Sequence, residues 1–169
     1  MQSNLKNHQK IIIRRSLLSD IDLFVVLSKA KRLDYEKAQP QFWRSSGETG
    51  DNKQREWFKE LLRAEKYLLF TAEDESREIV GFIIGKLITA PEVYNPGGLT
   101  LMVDDFCVKS EYLWKSVGLQ LIEAIKTPAK EKGASQILVV CGAQDHSKRT
   151  FLAKENLSIA SEWFVGGIV

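Results

Sequence analysis

Residues 104–125 read DDFCVKSEYLWKSVGLQLIEAI, and the period of their apolar residues changes partway along. With Leu99 to Val103 in front, the first part continues a β-branched and apolar run that predicts a strand over Leu99–Val108. Further on, Leu121, Ile122 and Ile125, followed by Ala129, recur at helical spacing and predict a helix over Gly118–Lys132 with one buried side. Pro128 lacks a backbone donor, which predicts a kink or break there. Gly133 supplies the C-cap. A strand that carries two carboxylates, Asp104 and Asp105, and then feeds a helix is the centre from which the rest is read.

Toward the C-terminus, Gln136–Cys141 (QILVVC) predicts a fully buried strand, His146–Glu155 a helix, and Ile159–Val165 a final strand. Toward the N-terminus, Ile79–Leu87 and Tyr67–Ala72 predict two strands joined by the charged turn EDESRE. A helix is expected over Lys53–Glu65, with Trp57, Phe58, Leu61 and Leu62 on one face. The segment 41–51, QFWRSSGETGD, reads as a loop with one aromatic pair, Phe42 and Trp43. Before it, Ser19 with Asp22 comes close to a capping box and opens a helix with Ile21, Phe24, Val25 and Ser28 at its spacing, ended by Pro40. Lys10–Arg15, with its isoleucine run, predicts the first strand, and residues 1–9 a flexible polar tail. The expected order is β-α-α-β-β-β-α-β-α-β in one domain, 10–169, without repeats or a linker.

The chain has 169 residues, enough to bury a core. Its net charge of +2 argues against nucleic acid and membrane surfaces as partners. No apolar run is long enough for a membrane span, and the N-terminus lacks a signal peptide's apolar stretch. The two cysteines, Cys107 and Cys141, make no disulfide framework, which points to a reducing cytoplasm. Two histidines and two cysteines scattered along the chain form no spaced ligand set, so no metal is expected.

The element order and two motifs resemble the GNAT superfamily of acetyl-CoA-dependent N-acetyltransferases. Many members carry something like E-D-[apolar]-x-V-x-P-E-Y-R-G-x-G-[IV]-G-x-x-L-[LI]-x-x-[IL]. Asp105, Phe106, Val108, Glu111, Tyr112, Val117, Gly118, Leu121, Ile122 and Ile125 stand where that pattern expects them. Downstream, DHSKRTFLAKENL is similar to N-x-x-A-x-x-F-Y-x-K-x-G-F, with Phe151 and Leu157 in register. The resemblance implies an α/β fold: a mixed, strongly twisted central sheet with helices on both faces. It implies acetyl-CoA as acyl donor, held by the backbone of Phe106, Cys107 and Val108 and by the turn Lys115, Ser116, Val117, Gly118 and Leu119. In such a turn, backbone N–H groups at a helix N-terminus face the diphosphate. Two positions depart from the pattern. The loop [QR]-x-x-G-x-[GA] is represented by Leu113, Ser116 and Gly118, of which only Gly118 matches. Leu152 stands where a tyrosine usually protonates the leaving thiolate.

An amine at neutral pH is mostly ammonium and must lose a proton before it attacks a thioester, so a nearby carboxylate is the expected base. Asp104 and Asp105 are the candidates. Neighbours on a strand point to opposite faces, so at most one meets the acceptor unless a bulge re-aims them. By the resemblance both take part, and the fourth strand's backbone, near Phe106 to Val108, donates to the developing oxyanion. The bland alternative pairs one aspartate with a surface Lys or Arg.

Other residues draw plainer readings. Cys141 and His146 suggest a nucleophile pair, but Cys141 in an apolar strand reads as a buried inert thiol. Lys148 and Arg149 open the last helix and are read as a solvated face, against a contact with the coenzyme's phosphates. Trp43 belongs to an acceptor-lining loop or to a rim. The expected function is transfer of an acetyl group to a primary amine of a small molecule or protein, the acidic pair favouring a cationic acceptor. The alternative is a non-catalytic module that binds acyl-CoA or a protein partner. A homodimer through the edge of the C-terminal strand is also expected.

Overall fold

The computed structural model describes residues 10–168, and the expected N-terminal tail lies outside them. The chain folds as β1 (Ile12–Arg15), α1 (Ile21–Ala38), α2 (Pro40–Trp43), α3 (Gly47–Arg63), β2 (Tyr67–Glu73), β3 (Ile79–Ile88), β4 (Leu99–Val108), α4 (Val117–Glu131), β5 (Ala134–Val139) and α5 (His146–Lys154). The strands form one open sheet in the order β1-β2-β3-β4-β5. All neighbours are antiparallel except β4 and β5, so the sheet is mixed.

Helices cover both faces, because alternate residues of the central strands point opposite ways. On one face, Leu121, Ile122, Ile125 and Ala129 of α4 pack with Ile83, Leu101, Val103 and Phe106. Across the sheet, Phe24 of α1 and Phe58 of α3 pack with Phe82, Ile84 and Cys107. Phe24 stacks on Phe82 at 4.2 Å between ring centroids. Ile21, Phe24, Val25 and Ser28 are buried along α1, as their spacing predicts.

Several expectations need correction. The entry to α1 is organised by Asp20, not Ser19: its carboxylate accepts the Leu17 N–H at 2.8 Å and the Thr71 hydroxyl at 3.0 Å and pairs with Arg14. Pro40 opens a short helix, a position where its missing N–H costs nothing. Helix α3 begins at Gly47, so the expected loop is mostly helical, and Trp57 is exposed on it while Phe58 and Leu61 are buried. Pro128 does not break α4, which runs on to Glu131 and ends before Gly133 at φ 90°.

The C-terminus differs most. Residues 157–168 form no strand, and Trp163 and Phe164 are exposed. Trp163, Phe164 and Val165 are consecutive rather than alternating, so a strand there would put apolar groups on both faces. Without that strand β5 is an edge, paired only with β4, and it is half-exposed instead of fully buried. The proposed dimer edge is therefore absent, and the open edge belongs to β5.

Candidate active site

Strands β4 and β5 run parallel from Leu99 and Ala134 and remain paired as far as Val103 and Val139. The last ladder bond is donated by the Val140 N–H to the Val103 oxygen at 2.9 Å. Beyond it the strands part. On its other side β4 stays paired with β3, and Lys109 N–H donates to Val80 O at 2.8 Å. Backbone groups alternate along an antiparallel strand, so the N–H groups of Val108 and Phe106 turn the other way, into the gap.

The register of β3 with β4 shifts at this place: Ile84 faces Asp105 and Gly85 faces Val103, which leaves Asp104 as the extra residue of a bulge. A bulge breaks the strict alternation of side chains. Leu101, Val103 and Phe106 share the α4 face, whereas Cys107 lies on the α1 face. Asp104 and Asp105 are thereby both turned to the α1 side. Asp104 is exposed, 3.5 Å from Lys86 Nζ. Asp105 is half-buried, and burial pushes its carboxyl up to about 6, reinforced by Asp104 and opposed by the positive charges of Lys148 and Arg32. Asp104 thus has a surface cation beside it, and Asp105 is the more perturbed acid of the pair.

The remaining expected residues divide by burial. Phe106 is buried, its ring edge-on to Trp114 at 4.9 Å. Cys107 is buried and its thiol is pushed up to about 11 by burial. Val108 is half-buried. In the turn before α4, Lys115, Ser116 and Leu119 are exposed, while Val117 and Gly118 are buried. The first amides of α4 have no partner within the helix and are free to donate. Gly118 has a packing role: a Cβ there would lie 2.8 Å from the Trp114 ring, so the glycine admits the indole.

Lys31, Tyr35 and Asp145, which are not among the expected site residues, meet beside the gap. Asp145 caps α5, accepting the Lys148 N–H at 3.2 Å. Its carboxylate also accepts from Lys31 Nζ at 2.8 Å and from the Tyr35 hydroxyl at 3.3 Å. Tyr35 in turn accepts the Gly142 N–H at 3.2 Å. These bonds tie α1 across the mouth of the gap to α5. Lys148 is not on a solvated face: it is 3% exposed, and its ammonium donates to Val140 O at 2.9 Å. Arg149 is half-buried, beside Ala143 O at 3.4 Å. Trp43 is half-buried, its ring 5.1 Å from Tyr35, and Trp163 meets Phe42 at 6.4 Å. The Cys141 thiol is raised by burial and lies 3.6 Å from Gly142 O. An Asp three residues before Lys148 at a helix start was the readable sign of the cap. Nothing local marks Lys148 as buried.

A hollow of about 530 Å³ lined by Tyr94, Thr100 and Leu138 lies at the start of β4, away from the acidic pair. Among the described residues, no group of three His, Cys, Asp or Glu is placed to hold a metal ion, and no helix is long and apolar enough to cross a membrane.

Residues 32–154 match the family model described as the acetyltransferase (GNAT) family. No curated protein matches the chain. Among solved structures, a tetramutant of the BH1408 protein from Bacillus halodurans superposes with TM-score 0.79 at 18% identity, covering 93% of this chain and 99% of that one. A predicted acetyltransferase with acetyl-CoA from Clostridium acetobutylicum gives TM-score 0.71 at 18% identity, over 94% and 96%. Glucosamine-6-phosphate N-acetyltransferase from Arabidopsis thaliana gives 0.63 at 17% identity, over 95% and 100%. At these identities the likeness speaks for the fold.

Proposed function

The chain belongs to the GNAT acetyltransferase family, and on that premise we propose that it moves an acetyl group from acetyl-CoA to a primary amine by direct transfer. The observation that carries this reading is Asp105: a half-buried carboxylate, raised to about 6, beside the point where β4 and β5 part. A base with that value is ionised at neutral pH and still basic enough to take an ammonium proton.

The chain's groups fit the donor at two places. The free amides at the start of α4, with exposed Lys115, suit a diphosphate. The Phe106 and Val108 amides in the gap suit a pantetheine arm and the carbonyl oxygen, where fixed N–H donors stabilise developing negative charge. Acetyl-CoA supplies an acyl group activated as a thioester. Asp105 accepts the amine's proton, directly or through water. Asp104, with Lys86 opposite, holds the acceptor's cationic end. Half-buried Tyr35 and Trp43 supply an apolar wall on the same side. A small-molecule amine is the favoured acceptor, in keeping with the glucosamine-6-phosphate enzyme among the structural relatives.

A second reading, a module that binds acyl-CoA without turnover, is favoured by one observation. Leu152, buried and unable to donate a proton, stands where a tyrosine usually protonates the leaving thiolate. Coenzyme release from acetyl-CoA, measured over a panel of primary amines together with melting curves in CoA, separates the two. Thiol release that depends on an amine supports transfer. A melting shift without release supports the module, and neither result refutes both.

A further inference from the structure

Lys148 is the residue whose placement the acyl-transfer scheme leaves unexplained. Its side chain starts from α5, on the α4 side of the sheet, and passes between two aromatic rings: the ammonium lies 5.5 Å from the Phe106 centroid and 5.8 Å from that of Trp114. It ends at Val140 O, 2.9 Å away, immediately beyond the last paired residues of β4 and β5. Among the described residues no carboxylate lies within ion-pair distance of it. A buried ammonium with one carbonyl partner and two ring faces is a costly arrangement. Such a charge is retained where something negative is to arrive.

The surroundings say what could arrive. Asp105 and Cys107 of β4, Cys141 beyond β5, Asp145 at the cap of α5 and Lys31 of α1 are the titratable groups that act on Lys148 or feel its charge. Both thiols are raised by burial, so neither offers an anion near neutral pH, and Asp145 is engaged by Lys31. The ammonium is left facing the gap. Leu152, one helical turn further along α5 on the same side, is buried and apolar and cannot donate a proton. Burial also lowers the Lys148 pKa from its ordinary value, which makes its proton easier to give up.

Resting on the acyl-transfer reading, we propose that Lys148 receives the departing sulfur of the coenzyme. As the carbon–sulfur bond breaks, its electron pair goes to sulfur, and a proton on Lys148 Nζ moves to that sulfur to give the free thiol. The neutral amine left on Lys148 regains a proton from the one the acceptor has shed, held on Asp105 or in water.

The test needs no acceptor, because CoA itself carries the sulfur. The ultraviolet thiolate band of bound CoA, taken as the difference from the complex with desulfo-CoA, is titrated in the wild type, Lys148→Met and Lys148→Arg. In the wild type and Lys148→Arg the bound thiol should titrate about one unit or more below the ~8.5 of a free thiol. Lys148→Met should return it to ~8.5 or above. Lys148→Met should also lower kcat about 10²-fold with the KM for acetyl-CoA little changed, in the range of a lost general acid. Equal titration of the thiol in wild type and Lys148→Met, with CoA bound to both, overturns this role and leaves the acyl-transfer reading standing. A wild type that binds no CoA removes both. Acetyl found on Lys148 after exposure to acetyl-CoA would make it a nucleophile and likewise overturn the proposal. Should Lys148→Met fail to fold, the comparison passes to Lys148→Arg, where a thiol left at its free value counts against the proposal.

Discussion

Replacing Asp105 by Asn should make the protein more stable at neutral pH while it loses activity. The carboxyl is raised from 3.8 to about 6 by burial, with Asp104 adding to the effect and Lys148 and Arg32 opposing it. A folded-state value above the unfolded one means that the protonated form is favoured by folding. That stability is fully present below about pH 4 and is lost as pH rises through about 6. At about 1.4 kcal/mol per unit, the loss amounts to roughly 2–3 kcal/mol above pH 6. Asparagine has nearly the same shape, stays neutral and escapes this loss. Urea unfolding of Asp105→Asn and wild type should therefore coincide near pH 4 and diverge by about 2–3 kcal/mol near pH 8. In melting temperature the gap is about 4–12 °C. An Asn variant that is less stable than wild type near pH 8, or a difference that ignores pH, would refute the argument that the Asp105 charge is held against its own burial.

The same group sets the pH dependence of turnover. Asp105 must be ionised to accept a proton, so kcat/KM should rise through about pH 6, and Lys148→Met should move that limb upward because it removes an attracting charge. Asp105→Asn should cost turnover about 10²-fold and Asp104→Asn less, since Asp104 is exposed and paired with Lys86; equal losses would count against this division. CoA at about 100 times its dissociation constant should stabilise the fold by about 2.7 kcal/mol, read as a melting shift of roughly 5–10 °C. Gly118→Ala should destabilise by about 1–3 kcal/mol without any coenzyme present, because its Cβ would press on the Trp114 ring; unchanged melting would show that the indole yields freely.

Local patterning carried most of the architecture. Helices α1 and α4 bury the residues that their spacing predicts, and β4 spans the residues expected for it, because periodicity is set by neighbours a few positions apart. The acidic pair, too, was visible as a pair. Three things were not. The bulge that turns Asp104 and Asp105 to one side depends on how β3 meets β4, and the two chain segments carry no local sign of the slip. The final strand failed because a strand exists only with a ladder partner, which no local segment reveals. Lys148 is buried because residues more than a hundred positions apart come together: Lys31 bonds Asp145, and Tyr35 accepts from Gly142, closing α1 over the gap where β4 and β5 part. Composition and spacing thus determine which segments become strands and helices and which chemical groups the chain possesses. Only the packing of distant segments decides which of those groups are taken out of water, and so which carboxylate is held near neutrality and which lysine faces the reaction.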